Sequence, residues 1–222
     1  MPDFSRRLPV AAALSLSCLL AGSALASQSV TLKVHDPSAL SAEKNLSIEK
    51  RFDYGAFQWL QVDADTAERL TKAGVAEVQD MRLDLGGVTF DPLSEPADRL
   101  LPEAWSGVDA GPDLRWVQMH APVRQDWLDT LKARGLEPVQ YIHPQTYIVW
   151  GSGAALEALS QGEQPASFVR ATGNFEPAFR VQPAWRSLAD AAVDVKVYFY
   201  AGADVNAAVE RIQGLGGQLT SR

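Results

Sequence analysis

The sequence predicts an α+β fold in which one small unit is repeated along the chain. Residues 115–172 alternate short apolar segments with two amphipathic segments of helical spacing. Residues 56–85 and 194–220 repeat parts of this alternation in weaker form. Strands and short helices in such an order bury their apolar sides when the helices pack on one face of an antiparallel sheet. We therefore expect several small modules, each with its own sheet.

The central unit begins with a strand at residues 115–119. Pro122 suits the first turn of the following helix because its missing N–H has no partner there, and Gly135 ends this helix in a left-handed cap. The apolar face of the helix is formed by Val123, Trp127, Leu128 and Leu131. Strands at residues 139–142 and 147–150, a helix through residues 154–159 and a strand at residues 167–172 complete the order β-α-β-β-α-β of a ferredoxin-like module.

Several of the predicted strands are apolar on both faces. Tyr147 and Val149 point to one side of their strand, whereas Ile148 and its neighbour Trp150 point to the other. We favour burial against a neighbouring repeat as the reason, since a sheet with helices on one face needs only one apolar face. The alternative is a docking face for a partner protein, and the residues predicted for it are Trp116, Tyr147 and Trp150.

The N-terminal part of the chain has the pattern of the second half of this module. Asp65 and Glu68, three residues apart, are expected to cap a helix that ends at Gly74. Residues 36–51 are polar and are predicted to form a helix or a loop. The predicted strands of this part are residues 30–34, 56–62 and 75–85.

A third module begins near the C-terminus. Residues 194–200, DVKVYFY, predict a strong strand that is again apolar on both faces. Asp204 is expected to cap the next helix, which the glycines between residues 214 and 217 end before a strand begins at residues 218–220. Such a module is incomplete, so it either pairs with the central module or belongs to a longer polypeptide of which this chain is the front part. We favour the second interpretation.

These elements divide the chain into tandem modules and linkers, with the last module incomplete. Residues 91–113 are rich in proline, glycine and acidic residues, and Leu100, Leu101 and Trp105 are expected to anchor them on the surface. The predicted divisions are residues 1–26 (signal peptide), 29–90 (first module), 91–113 (linker), 114–181 (second module), 182–192 (linker) and 193–222 (start of a third module).

Residues 1–26 have the pattern of a secretory signal peptide. Two arginines precede an apolar stretch, residues 8–20, which is short for a membrane span. Cleavage is expected between Ala26 and Ser27. The chain is therefore predicted to be secreted or periplasmic, with no membrane contact after the signal is removed.

Cys18 is the only cysteine of the sequence. A lipid anchor at Cys18 is the alternative to cleavage after residue 26, but Ser15 stands where a lipoprotein signal usually has leucine. Cleavage removes Cys18, so the exported chain has no disulfide and depends on apolar burial for its stability. The net charge of −7 and the lack of a basic stripe argue against nucleic acid as a partner.

The sequence contains no motif typical of a catalytic or metal centre. His35, His120 and His143 lie in distant segments and lack the spacing of zinc ligands. A G-x-S-x-G nucleophile motif and a phosphate-binding loop are both absent. We therefore expect no cofactor and no catalysis by this chain. An enzyme of an unfamiliar kind would need a polar cleft between modules, and nothing in the sequence points to one.

Two stretches resemble the pro-region of secreted bacterial subtilisin-like serine proteases. The stretch at residues 115–150 is RWVQMHAPVRQDWLDTLKARGLEPVQYIHPQTYIVW, and the one at residues 168–181 is FVRATGNFEPAFRV. Upstream, residues 57–81, FQWLQVDADTAERLTKAGVAEVQDM, resemble the second half of the propeptide and inhibitor module of that family. The Asp, His and Ser motifs of the catalytic domain (D-[ST]-G, H-G-T-H and G-T-S) are absent.

The resemblance implies a non-catalytic chain, whose full-length parent would be a serine endopeptidase. It implies a folding chaperone and inhibitor that docks its sheet on a subtilisin-like catalytic domain, within the parent or in trans. The alternative from the residues alone is a free-standing secreted or periplasmic module that binds protein or glycan.

Overall fold

The computed structural model describes residues 29–108, 110–161, 166–186, 192–200 and 202–220. Within these residues the chain has an α+β fold with antiparallel sheets, as the sequence predicts. The predicted signal peptide, its cleavage point between Ala26 and Ser27, and Cys18 all lie outside the described residues.

The first sheet has four strands in the order β2-β3-β1-β4, and each neighbouring pair is antiparallel. Its elements are β1 (Val30–Val34), a 3₁₀ segment (Pro37–Ala42), β2 (Ile48–Asp53), β3 (Gln58–Val62), α1 (Ala64–Lys72) and β4 (Ala76–Val78). The cap of α1 is Asp63, because its carboxylate accepts the backbone N–H of Thr66 at 2.7 Å. The predicted cap at Asp65 is therefore wrong by two residues.

A hairpin and a second sheet follow. The second sheet has the order β10-β7-β9-β8 and is also antiparallel throughout. The hairpin is β5 (Leu83–Leu85) and β6 (Val88–Phe90), and the remaining elements are β7 (Asp113–Met119), α2 (Gln125–Ala133), β8 (Glu137–Ile142), β9 (Thr146–Gly151), α3 (Gly153–Gln161), β10 (Val169–Asn174), α4 (Pro177–Arg180) and α5 (Val205–Gly214). The predicted order β-α-β-β-α-β of the central unit is present from β7 to β10.

The central strands of both sheets are buried on both faces by parts of the same chain. In β3, Leu60 packs in the cluster beneath α1, whereas Trp59 packs in the cluster between the second sheet and its helices. In β7, Val117 faces the helices, whereas Trp116 packs under the hairpin and α4. The strands that are apolar on both faces are thus explained here by packing between segments of the chain. The cluster on the outer face of the second sheet consists of Leu83, Leu85, Phe90, Trp116, Ile148, Ala178 and Phe179.

Four predicted elements differ from the structure. Residues 48–51, predicted as part of a helix or loop, belong to β2. The single strand predicted at residues 75–85 is split into β4 and β5, which belong to different sheets. Residues 194–200 and 218–220 are not strands in the structure. The helix between them is confirmed as α5, and its cap is Asp204, whose carboxylate accepts the N–H of Ala207 at 3.0 Å.

Candidate docking surfaces

Trp116, the first residue of the predicted docking face, is buried by the chain itself. It is 3% exposed, and its ring meets that of Phe90 at a centroid distance of 6.2 Å. Across the sheet it pairs with Gly173. The absence of a side chain at Gly173 makes room for the indole, because a Cβ there would lie 2.5 Å from Trp116 Cε2. Trp116 therefore supports the core and presents no surface.

Tyr147 and Trp150 lie on opposite faces of β9, because they are separated by three positions in one strand. Tyr147 packs against the helix-side cluster. The ring of Trp150 stacks on that of Tyr200 at a centroid distance of 5.0 Å. The structure thus does not bring Trp116, Tyr147 and Trp150 together on one surface.

Exposed apolar side chains accompany Tyr147 at the edge of the second sheet. Tyr141 of β8 pairs with Tyr147 across the strands, and the two rings meet edge to face at 5.6 Å. Val139 is 40% exposed and Tyr141 44% exposed. We call Val139, Tyr141 and Tyr147 the edge patch. Pro138 and the irregular register beside it weaken strand pairing at this edge, so the side chains of the patch are what a partner can contact.

The apolar residues before α5 form a second exposed surface. Residues 193–200, called here the C-terminal segment, form neither helix nor strand and pair with no strand among the described residues. Tyr198 is 88% exposed and Val197 is 52% exposed. An open groove of about 440 Å³ runs between this segment, α5 and residues 218–220. Its apolar lining consists of Val195, Val197, Phe199, Val205, Val209, Ile212 and Leu219.

Arg115 ties together the end of the second sheet from a buried position. Its side chain donates to the carbonyl oxygens of Gly151 and Gly111, each at 2.9 Å, and to the side-chain oxygen of Asn174. Burial lowers the pKa of Arg115, while the charge of nearby Asp113 raises it. The guanidinium therefore holds together β7, β9, β10 and the loop before β7. The role of Arg115 is structural.

A second buried arginine links the segment between the sheets to β10. Arg170 donates to Gln118 at 2.6 Å and pairs with Asp91 at 2.8 Å. Gln118 in turn donates to the carbonyl oxygen of Met81 at 2.8 Å. Hydrogen bonds to charged groups at buried positions are among the stronger ones. This chain of contacts holds Met81 and Asp91, which lie on either side of the hairpin, against the second sheet.

A polar groove of about 640 Å³ lies beside this network, and its charged groups are paired with one another. The carboxylate of Asp80 accepts a hydrogen bond from the Arg82 side chain at 2.7 Å, and this hydrogen bond lowers the pKa of Asp80 to about 2. Asp91 is held by Arg170. The pair between Asp91 and Arg170 joins the residue after the hairpin to β10, so this groove lies at a structural junction.

His35 follows β1, His120 follows β7, and His143 lies in the turn between β8 and β9. His120 is buried beside Phe52, and burial lowers its pKa to about 3, with Lys50 and Arg170 acting in the same direction. His35 is exposed and lies 3.4 Å from Glu77. Among the described residues, no three His, Cys, Asp or Glu side chains are close enough to hold a metal ion. No helix in the described ranges has the length and apolar character needed to cross a membrane.

The sequence pointed to Tyr147 but not to the other two residues of the edge patch, and it did not point to the buried arginines. Position in the outermost strand exposes Val139 and Tyr141, and strand order does not follow from apolar periodicity. For Arg115, a usable signal was a charge at the start of an otherwise apolar strand. Such a charge needs acceptors when the strand is buried.

Comparison with protein families finds one match. Residues 84–176 match the model of a domain of unknown function (DUF8729), which covers less than half of the 222 residues. The matched span runs from the hairpin through β10, so it includes the second sheet and the hairpin on its outer face. Comparisons with curated proteins and with solved structures find no match.

Proposed function

We propose that this chain is an exported, non-catalytic protein-binding module of the pro-region type. In this proposal it assists the folding of a subtilisin-like serine protease domain and inhibits that domain until the two separate. The partner is the catalytic domain of the same precursor or a separate protease. The resemblance of residues 115–150 and 168–181 to such pro-regions is the source of the proposed partner.

We also propose that the fold is a tandem of ferredoxin-like modules with an incomplete third. The strand order of the second sheet supports this, because its strands, numbered along the unit, lie in the order 4-1-3-2. The strands of the first sheet, read from β4 to β2 and numbered in the same way, also lie in the order 4-1-3-2. A 3₁₀ segment takes the place of the first helix in that unit. The C-terminal segment, α5 and residues 218–220 follow one another in the order of half a module, although the two flanking segments are not strands.

The observation that carries the proposed function is the edge patch. Exposed Val139 and Tyr141 lie within the stretch that resembles the pro-regions, and Tyr147 supports Tyr141 from the neighbouring strand. Aromatic side chains are enriched at protein interfaces, where they bury a large area at a small entropic cost. The edge patch therefore replaces the predicted set that included buried Trp116. It is the part of the second sheet that we assign to the protease.

Inhibition of bacterial subtilisin-like proteases by the chain from Ser27 onward tests this function. We expect inhibition at stoichiometric concentration, and we expect Val139→Asp to weaken it at least about ten-fold because a buried unpaired charge opposes docking. Val78→Asp is the matched control, since Val78 is an exposed valine at the edge of the first sheet. Equal loss for both variants, or no inhibition of any protease tested, would overturn the proposal. Binding to glycan or to another protein in that case would favour the free-standing module.

A further inference from the structure

The C-terminal segment has the composition of a central strand but has no strand partner in the part of the chain that the structure describes. Its core, residues 194–200, is rich in β-branched and aromatic residues, which favour sheets. Among the described residues it pairs with no strand. Tyr200 stacks on Trp150 and so attaches one end of the segment to the second sheet. An apolar edge strand that remains open is a template for pairing with another chain.

The two complete sheets indicate what kind of partner fits this segment. The second sheet combines two halves of the form β-α-β, namely β7-α2-β8 and β9-α3-β10. The halves meet through β7 and β9, the first strand of each, which pair antiparallel over six positions. In the first sheet, β1 and β3 form the corresponding central pair. A half of this form is therefore completed by another half of the same form.

The segment is complementary to itself in the antiparallel orientation. When two copies pair about Val197, Val195 of each lies opposite Phe199 of the other, and Val197 lies opposite its own counterpart. These three residues share one strand face. On the other face Lys196 lies opposite Tyr198, so no like charges face each other directly.

We propose that a second copy of this chain completes the third module, with residues 194–200 of the two copies forming its central strand pair. Residues 218–220 of each copy then flank the segment of the other copy, in the strand order of the complete sheets. The two α5 helices cover the face that carries Val197, which closes the apolar groove of each copy. The interface is isologous, since the same surface is used twice about a two-fold axis.

Sedimentation of the chain from Ser27 onward, which includes every residue the structure describes, tests this inference. As the protein concentration is raised to about 100 μM, we expect the measured mass to reach that of a dimer. Val197→Asp should raise the dimer dissociation constant at least about ten-fold, because it places two carboxylates opposite each other. Val197→Lys should do the same, and an equimolar mixture of the two variants should restore the dimer. A folding defect would not be repaired by mixing.

Val139→Asp is the control, because it changes an exposed valine of the edge patch and should leave the dimer intact. A wild-type chain that stays monomeric over the whole range would overturn the inference. A Val197→Asp variant that dimerises like the wild type would also overturn it. The inference does not rest on the protease partner, since the edge patch and the C-terminal segment are changed by different variants.

Discussion

Replacing Gly173 by alanine tests the close packing between β10 and the outer-face cluster. An added Cβ would lie 2.5 Å from Cε2 and 2.8 Å from Nε1 of Trp116, well inside ordinary van der Waals contact. The indole has little room to withdraw, because it is 3% exposed and packed beside Phe90. Overpacking of this kind costs about 1–3 kcal/mol. Since both the strand and the ring are fixed by neighbours, we expect a loss near the upper end of this range.

The assay for Gly173→Ala is urea unfolding followed by tryptophan fluorescence, with a thermal melt alongside. A loss of about 3 kcal/mol should lower the melting temperature by roughly 6–12 °C for a chain of this size. Gly214→Ala is the control, because an added Cβ there meets nothing within 4 Å and Gly214 lies in α5. Within a helix, alanine gives a folded state about 0.5–1 kcal/mol more stable than glycine does, so Gly214→Ala should not lower the stability. A Gly173→Ala variant as stable as the wild type would refute the packing described for Trp116.

Three further predictions concern the buried charges and the export signal. Arg115→Met leaves its three acceptors at the end of the second sheet without their donor and should cost about 3 kcal/mol in urea unfolding; an unchanged midpoint would contradict its structural role. Because the pKa of His120 is about 3 in the folded chain against an ordinary value of 6.5, the unfolded chain binds its proton first, so stability is full above pH 6.5 and falls towards pH 3. Protonation of this group changes the free energy of unfolding by about 1.4 kcal/mol per pH unit in this range. His120→Gln should therefore make the free energy of unfolding less dependent on pH between pH 6.5 and pH 4, whereas His35→Gln should not. Mass spectrometry of the exported protein should find Ser27 as its first residue, and retention of Cys18 would contradict the predicted cleavage.

Periodicity and glycine placement were sufficient to predict the central unit. The spacing of Trp127 and Leu131 predicts the apolar face of α2, and both residues are buried beneath that helix. Gly135 has φ +79°, a conformation that glycine adopts without strain and that ends the helix as expected. These are local properties, and local properties can be read from neighbouring residues.

The missed elements depend on contacts between distant parts of the chain. Every second residue of β2 is exposed and charged, as an edge strand allows, and the apolar residues Ile48 and Phe52 pack in two different clusters. Residues 194–200 have strong strand composition, yet a strand also needs a partner to accept its hydrogen bonds. Composition alone does not supply that partner.

The candidate docking surface shows the same limit. Trp116 and Trp150 lie on the same face of the second sheet, but the hairpin at residues 83–90 packs over Trp116 on that face. Val139 and Tyr141 are exposed because β8 is the last strand of its sheet. Both outcomes follow from the strand order, which the sequence does not determine residue by residue.

Refolding of a denatured subtilisin-like catalytic domain, with and without this chain, is the most direct test of the proposed function. A panel of bacterial subtilisin-like domains should include at least one whose folded, active-site-titratable yield rises when the chain is added. Val139→Asp should lower that yield and Val78→Asp should not. A yield that is the same with the chain, with either variant and with no addition, across the whole panel, would contradict the account.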